Sequence, residues 1–285
     1  MEMVERCIIC NSNKFINLFR KESSKGESFQ LAQCAYCGLE FINPRPDEGE
    51  IMRYYGNEYF TKRTDRGYNN YFSIEMKTEI ERIIKLNLKD LAFFEFEEKL
   101  HSEKNVLDIG CAAGYFLNYL RDRGWRSWGV DLSKDCVNFA RGLSLDVMHG
   151  NYLEIDFKNK FHLMTLWATI EHMHHPDLVL EKAQYDLDDN GMLYISTCRI
   201  EGISFMKLFK QRWRFYNFPE HLYFFSFQTL KDLLEAKGFQ VMKYVTYGSG
   251  VGKAGSIIRK TADYMAKKFY MGDMMLISAR KIRVQ

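Results

Sequence analysis

Two thiol pairs, Cys7-x-x-Cys10 and Cys34-x-x-Cys37, are separated by 23 residues. Four thiolates in that pattern can surround one Zn²⁺ tetrahedrally, with iron the less suited alternative. Gly38 follows the second pair and lets the backbone turn its amides toward the sulfurs. With all four positions filled by protein, no coordination site is left for a substrate, so the expected role of the metal is structural. The seven cysteines are odd in number and no apolar leader precedes Cys7, so thiols in a reducing cytoplasm are expected rather than disulfides. Cys111, Cys136 and Cys198 stand apart from the pairs and are expected to pack in the core.

A second chemical signal is the run Val106-Leu107-Asp108-Ile109-Gly110-Cys111-Ala112-Ala113-Gly114. An apolar strand enters a loop of small side chains and then a helix carrying Leu117 and Leu120, which lets backbone N–H groups approach a ligand. The next strand closes at Gly129-Val130-Asp131, where a carboxylate can accept both hydroxyl protons of a ribose. A dinucleotide fingerprint needs Gly-x-Gly-x-x-Gly, whereas this loop has glycines only at 110 and 114 and an acid, Asp108, just before the turn. A pyrophosphate would be repelled by that acid. The cationic amino acid head of S-adenosylmethionine (SAM) would be attracted to it, directly or through water, so SAM is the expected cofactor.

These groups need elements to hold them. Apolar runs at 105–109, 126–131, 162–168, 191–197 and 239–246 read as strands. Helix-period segments at about 114–123, 133–142, 176–187 and 227–237 alternate with them, the last closed by Gly238, and 273–281 reads as one more strand. Alternation of this kind predicts an α/β domain with a largely parallel sheet and helices on both faces. Before it come a cysteine module of two hairpin-like halves at 1–43 and the punctuation Asn43-Pro44-Arg45-Pro46. A helical connector follows at 44–100, in which Ile80, Ile83, Ile84, Leu88 and Leu91 mark one face.

In this order the pieces resemble the class I SAM-dependent methyltransferases, whose Rossmann-like sheet the resemblance implies over about 105–245. The motifs that carry it are the Asp-x-Gly-x-x-x-Gly loop, Asp131, Gly150-Asn151, Leu166-Trp167-Ala168-Thr169-Ile170-Glu171-His172 and Leu187-Asp188-Asp189-Asn190-Gly191. The resemblance implies cofactor contacts from Asp108, Gly110, Cys111, Ala112, Gly114 and Asp131, with Leu132 and Asn151 at the adenine and Trp167 and Ala168 beside the methionine part. The family's middle loop glycine is Ala112 here, and the acid often found after Gly150 is Asn151, which still offers an oxygen to the adenine amino group. The cysteine module, Tyr54, Tyr55, Tyr59 and Pro219-Glu220-His221-Leu222-Tyr223-Phe224-Phe225-Ser226 further resemble bacterial methyltransferases with an N-terminal zinc module, some of which act on nucleotide-linked sugars or other small molecules.

Methyl transfer from a sulfonium requires alignment of the acceptor and, for a hydroxyl or acidic carbon, removal of a proton. His221, in an aromatic lid insertion around 199–226, and His172, after the fourth strand, are the candidate bases; each can instead serve only to fix the local fold. His174 and His175 are expected in a solvated loop before Pro176. Lys207, Lys210, Arg212 and Arg214 suit either a phosphate-bearing acceptor such as a nucleotide sugar or a solvated helix face. The net charge of +3, from 40 Lys and Arg against 37 Asp and Glu, argues against nucleic acid, and the longest apolar runs are too short for a membrane span. The expected partner is a small-molecule acceptor with O-, N- and C-methylation all open; a protein acceptor and a catalytically silent scaffold are the rival readings. No oligomeric state follows from the sequence.

Overall fold

The computed structural model describes residues 1–55, 59–61, 70–101, 103–201, 213–249 and 257–282. Its larger sheet has seven strands: β4 (Asn105–Ile109), β5 (Arg126–Asp131), β6 (Asp146–His149), β7 (Phe161–Trp167), β8 (Leu187–Cys198), β10 (Phe239–Tyr247) and β11 (Met274–Lys281). They lie in the order β10-β11-β8-β7-β4-β5-β6. The five strands from β8 to β6 run parallel, and β11 is antiparallel to both its neighbours. The chain order therefore reverses at β4, with β5 on one side and β7 on the other. In an open parallel sheet such a reversal opens a crevice beyond the carboxyl ends of the strands.

Strand residues alternate between two cores, as a period of two dictates. Val106, Leu163 and Tyr194 pack with α2 (Ile74–Asp90), α4 (Tyr115–Arg121) and α5 (Lys134–Gly142) through Leu88, Leu117 and Ala140. Leu107, Leu166 and Ile195 pack on the opposite face with α6 (Pro176–Asp186) and α7 (Phe227–Ala236) through Leu180 and Leu233. The helix starts carry local reasons: the Ser133 hydroxyl accepts from Cys136 N at 3.3 Å, Pro176 occupies the first turn of α6, and Ser226 and Thr229 form a reciprocal cap on α7. The connector holds α1 (Glu48–Ile51), a 3-10 turn at Met52–Tyr55, α2 and α3 (Phe93–Glu97). Ile84, Leu88 and Leu91 are buried as the periodicity requires, while Ile83 faces outward.

A smaller antiparallel sheet joins β1 (Phe15–Glu22), β2 (Ser28–Cys34) and β3 (Glu40–Ile42) to β9 (Tyr223–Phe224). The cysteine module is thus continuous, through β9, with the aromatic segment that follows β8. Arg45 strengthens the junction, its guanidinium donating to the Tyr223 hydroxyl at 2.9 Å. Phe41, Leu39, Phe224 and Phe225 are fully buried there.

Several sequence expectations need correction. β8 starts at Leu187 and not at 191, because Leu187, expected at the end of the preceding helix, already pairs with Phe161 of β7. The edge strand β6 and the helix α8 (Ile257–Lys268) were not expected. His174 is buried, not solvated: its Nε2 lies 2.9 Å from the Pro46 carbonyl, and burial holds its pKa below the ordinary value. His175 is exposed as expected. Lys207, Lys210 and Arg212 lie outside the described residues, as does much of the lid insertion.

Candidate active site

The glycine loop is strapped to the end of β5 by two donors, Gly110 N at 2.8 Å and Cys111 N at 3.2 Å from the Val130 carbonyl. Gly110 has φ +73°, and a Cβ there would stand 2.4 Å from Thr169 Cγ2. Only glycine meets both the left-handed backbone and the close approach of the loop after β7. Ala112 and Ala168 also have positive φ, +46° and +49°, conformations that cost an L-residue about 1 kcal/mol or more and that gather at functional loops.

Asp131 closes β5 with its Oδ2 accepting from Ala112 N at 2.8 Å and its Oδ1 from Ser133 N at 2.7 Å. Burial raises its pKa, and those two N–H donors oppose the rise. Asp108 is deeper still, at 2% exposure, with Thr165 Oγ1 donating to its Oδ1 at 2.6 Å. Burial, reinforced by the Asp131 charge, pushes Asp108 up to about 8.

A cavity of about 870 Å³ opens over this loop, toward the upper end of the usual size for small-molecule sites. Gly110, Ala112, Asp131, Leu132 and Asn151 contribute to its wall. Trp167, Ala168, His172 and His221 line the same space. The strand order thus brings nine of the twelve expected site residues to one space. Asp108, Cys111 and Gly114 stand behind that wall; Cys111 is packed in the core with Leu117 and Val147. Trp167 packs edge-on against Phe116 at 5.3 Å, and its buried indole N–H has no hydrogen-bond partner among the described residues, a donor that a bound molecule can satisfy. A carboxylate at a strand end, a glycine-tight loop and an unused donor suit the ribose and amino acid portions of SAM.

At the cavity wall the imidazoles of His172 and His221 meet edge to face, with ring centroids 4.6 Å apart. His172 Nδ1 is 2.7 Å from the Glu220 carbonyl and 2.8 Å from the Tyr55 hydroxyl. His221 Nδ1 is 3.8 Å from Cys198 Sγ. Arg214, also at the cavity, is 3.7 Å from the buried carboxylate of Asp273. Sequence reading did not single out Glu171 in this group, and it left Tyr55, with Tyr54 and Tyr59, either closing over the ligand or packing against a neighbouring domain. Glu171, 1% exposed, lies beside both histidines, and its adjacency to His172 was the available signal. Tyr55 reaches His172 across 117 positions, which no local pattern encodes.

The four N-terminal sulfurs lie within 4.8 Å of one another, with Cys7 and Cys37, and Cys10 and Cys34, each 3.4 Å apart. A tetrahedral Zn²⁺ with bonds of about 2.3 Å needs sulfurs about 3.8 Å apart, so the group can close on an ion with small shifts. Burial raises the Cys34 thiol, but the N–H groups of Cys37 and Tyr36 outweigh it and bring it down to about 7; burial pushes Cys7 up to about 11.

The fold and this crevice define a Rossmann-like methyltransferase architecture. Residues 76–244, more than half the chain, match the family model described as a methyltransferase domain, and the chain belongs to that family. Among curated relatives, an uncharacterized methyltransferase of Staphylococcus carnosus is 25% identical over 164 residues, covering 52% of this chain and 79% of the relative. The ubiquinone biosynthesis O-methyltransferase of Glaesserella parasuis is 26% identical over 115 residues, 36% of this chain and 49% of the relative. The chain thus spans about half the length of most curated relatives it matches. Among solved structures, a SAM-dependent methyltransferase from Archaeoglobus fulgidus superposes with TM-score 0.56 at 18% identity, over 79% of this chain and all of that one. The cyclase SpnF superposes with TM-score 0.57 at 18% identity, over 85% and 99% of the two chains.

Proposed function

We propose that this protein transfers the methyl group of SAM to a small-molecule acceptor, plausible acceptors being a sugar or nucleotide sugar. The observation that carries the proposal is one cavity lined both by Asp131, Gly110 and Ala112 and by the His172–His221 pair. SAM would supply an electrophilic methyl carbon on a sulfonium. Asp131 would take the ribose hydroxyls, Leu132 and Asn151 the adenine, and Trp167 and Ala168 the methionine part. Gly110 and Gly114 would keep the loop close to the ligand, Cys111 would back it, and Asp108, protonated in the free protein, would give up its proton when the ammonium group binds in front of it. His221 or His172 would receive the proton that a hydroxyl or acidic carbon must lose. Arg214 at the cavity wall supports an acceptor bearing phosphate.

The same proposal includes a structural Zn²⁺ at Cys7, Cys10, Cys34 and Cys37, in a module spanning 1–43, joined by a connector at 44–100 to a methyltransferase domain at 101–285. The segment around 199–226 would cover the acceptor, and the pairing of β3 with β9 supports a module that anchors this cover. Seven cysteines present as thiols suit a reducing cytoplasm.

The test is transfer of label from methyl-labelled SAM to a panel of nucleotide sugars and to protein fractions. The proposal expects label in a nucleotide sugar or related small molecule, lost at least about 100-fold in His221→Ala if that group removes the proton. Label appearing only in protein would replace the small-molecule reading with a protein acceptor.

A further inference from the structure

Glu171, His172 and His221 each place a ligand atom within 4.8 Å of the other two, at the cavity wall and in a group separate from the four cysteines. From this geometry we infer that the three residues bind a divalent metal ion that also holds the acceptor's oxygen, an inference that rests on the methyl-transfer reading. The donor set is two imidazoles and one carboxylate, which suits Mn²⁺, Fe²⁺, Co²⁺ or Zn²⁺ and leaves coordination positions open to water or substrate.

The surroundings are those of a ligand group held in place by neighbours. A carbonyl can only accept, so His172 Nδ1, 2.7 Å from the Glu220 oxygen, carries a proton, and in the neutral ring Nε2 is then the nitrogen that can bind an ion. Tyr55 fixes the same ring, its hydroxyl lying 2.8 Å from Nδ1 and donating to the Glu220 carbonyl at 3.2 Å. The Glu171 and His172 backbone is a single 3-10 turn at Ile170–His172, and the Glu171 carbonyl accepts from Leu222 N at 2.8 Å. That bond ties the turn after β7 to the segment bearing His221. Glu171 is 1% exposed, so its side chain is held in place among the groups packed around it. Donors on one metal with bonds of about 2.1 Å stand about 3.4 Å apart, so a side-chain movement of roughly 1 Å closes the site.

Such an ion changes how the histidines serve the reaction. A hydroxyl bound to it loses its proton to water more readily, as metal-bound water does, and the resulting oxygen is held facing the methyl donor. Acceptors with two adjacent oxygens, such as a vicinal diol or catechol, could chelate the ion and would be favoured over lone hydroxyls.

Equilibrium titration of the zinc-loaded full chain with Mn²⁺, followed by the electron paramagnetic resonance of free Mn²⁺, tests the inference. One saturable site per chain is expected beyond the metal held by the cysteines. Its affinity should fall at least tenfold in His221→Ala and in Glu171→Gln, while affinity for S-adenosylhomocysteine (SAH) changes less than twofold. His172→Asn provides a third variant should burial of Glu171 make its substitution unfold the chain. Absence of a saturable site, or affinity unchanged in the variants that fold, would overturn the inference. Failure of the wild type to bind SAH would instead overturn the methyl-transfer reading, whatever the Mn²⁺ result.

Discussion

Asp108 and Asp131 end adjacent strands, and what touches each sets its chemistry. Asp131 meets two backbone donors at the cavity wall, whereas Asp108 is sealed behind it with one hydroxyl donor from Thr165. Because burial pushes Asp108 up to about 8, the native protein keeps a proton that the unfolded chain releases above about pH 4. The free protein therefore loses stability as pH rises from about 4 to about 8, by up to about 1.4 kcal/mol per unit, and the effect is absent below that window. Denaturant unfolding of wild type and Asp108→Asn at pH 5, 6.5 and 8 should show the variant gaining on the wild type as pH rises; parallel profiles would contradict this placement of the proton. Asp131 was legible from sequence because a strand-ending acid about 20 residues after a glycine loop is a local pattern. The burial of Asp108 and the meeting of Glu171 with His221 were not, since both depend on which strands become neighbours.

At the scale of elements, the two-residue strand β9 links the cysteine module to the cavity cover through Glu40↔Phe224 and Phe41↔Tyr223. Loss of the ion proposed at the cysteines should therefore reach the cavity. Cys10→Ser, compared with wild type by calorimetry, is expected to lower the melting temperature by at least about 5 °C and to weaken acceptor binding more than SAH binding. An unchanged melting temperature would remove the structural role of that ion. The parallel strands were legible because apolar runs buried on both faces end in glycine or acid punctuation. β6 was not: its four residues, Asp146 to His149, carry two polar side chains at a sheet edge. β9 could not be read at all, because two residues have no periodicity and its partner lies about 180 positions earlier.

Across the whole molecule, the family match covers the sheet from α2 to β10, while the cysteine module and β11 lie outside it. This architecture also houses the cyclase SpnF, so fold alone does not fix the reaction and the contents of the cavity must. No helix among the described residues is long and apolar enough to cross a membrane. The central claim is that the crevice at the reversal of strand order is a SAM site closed by Asp131. Isothermal titration of the purified chain with SAH, wild type against Asp131→Ala, tests it most directly. Two hydrogen bonds to a carboxylate contribute about 1.5 to 3 kcal/mol each, so micromolar binding by the wild type and a loss of at least about 100-fold in the variant are expected. Equal binding by both proteins, or none by the wild type, would contradict the account.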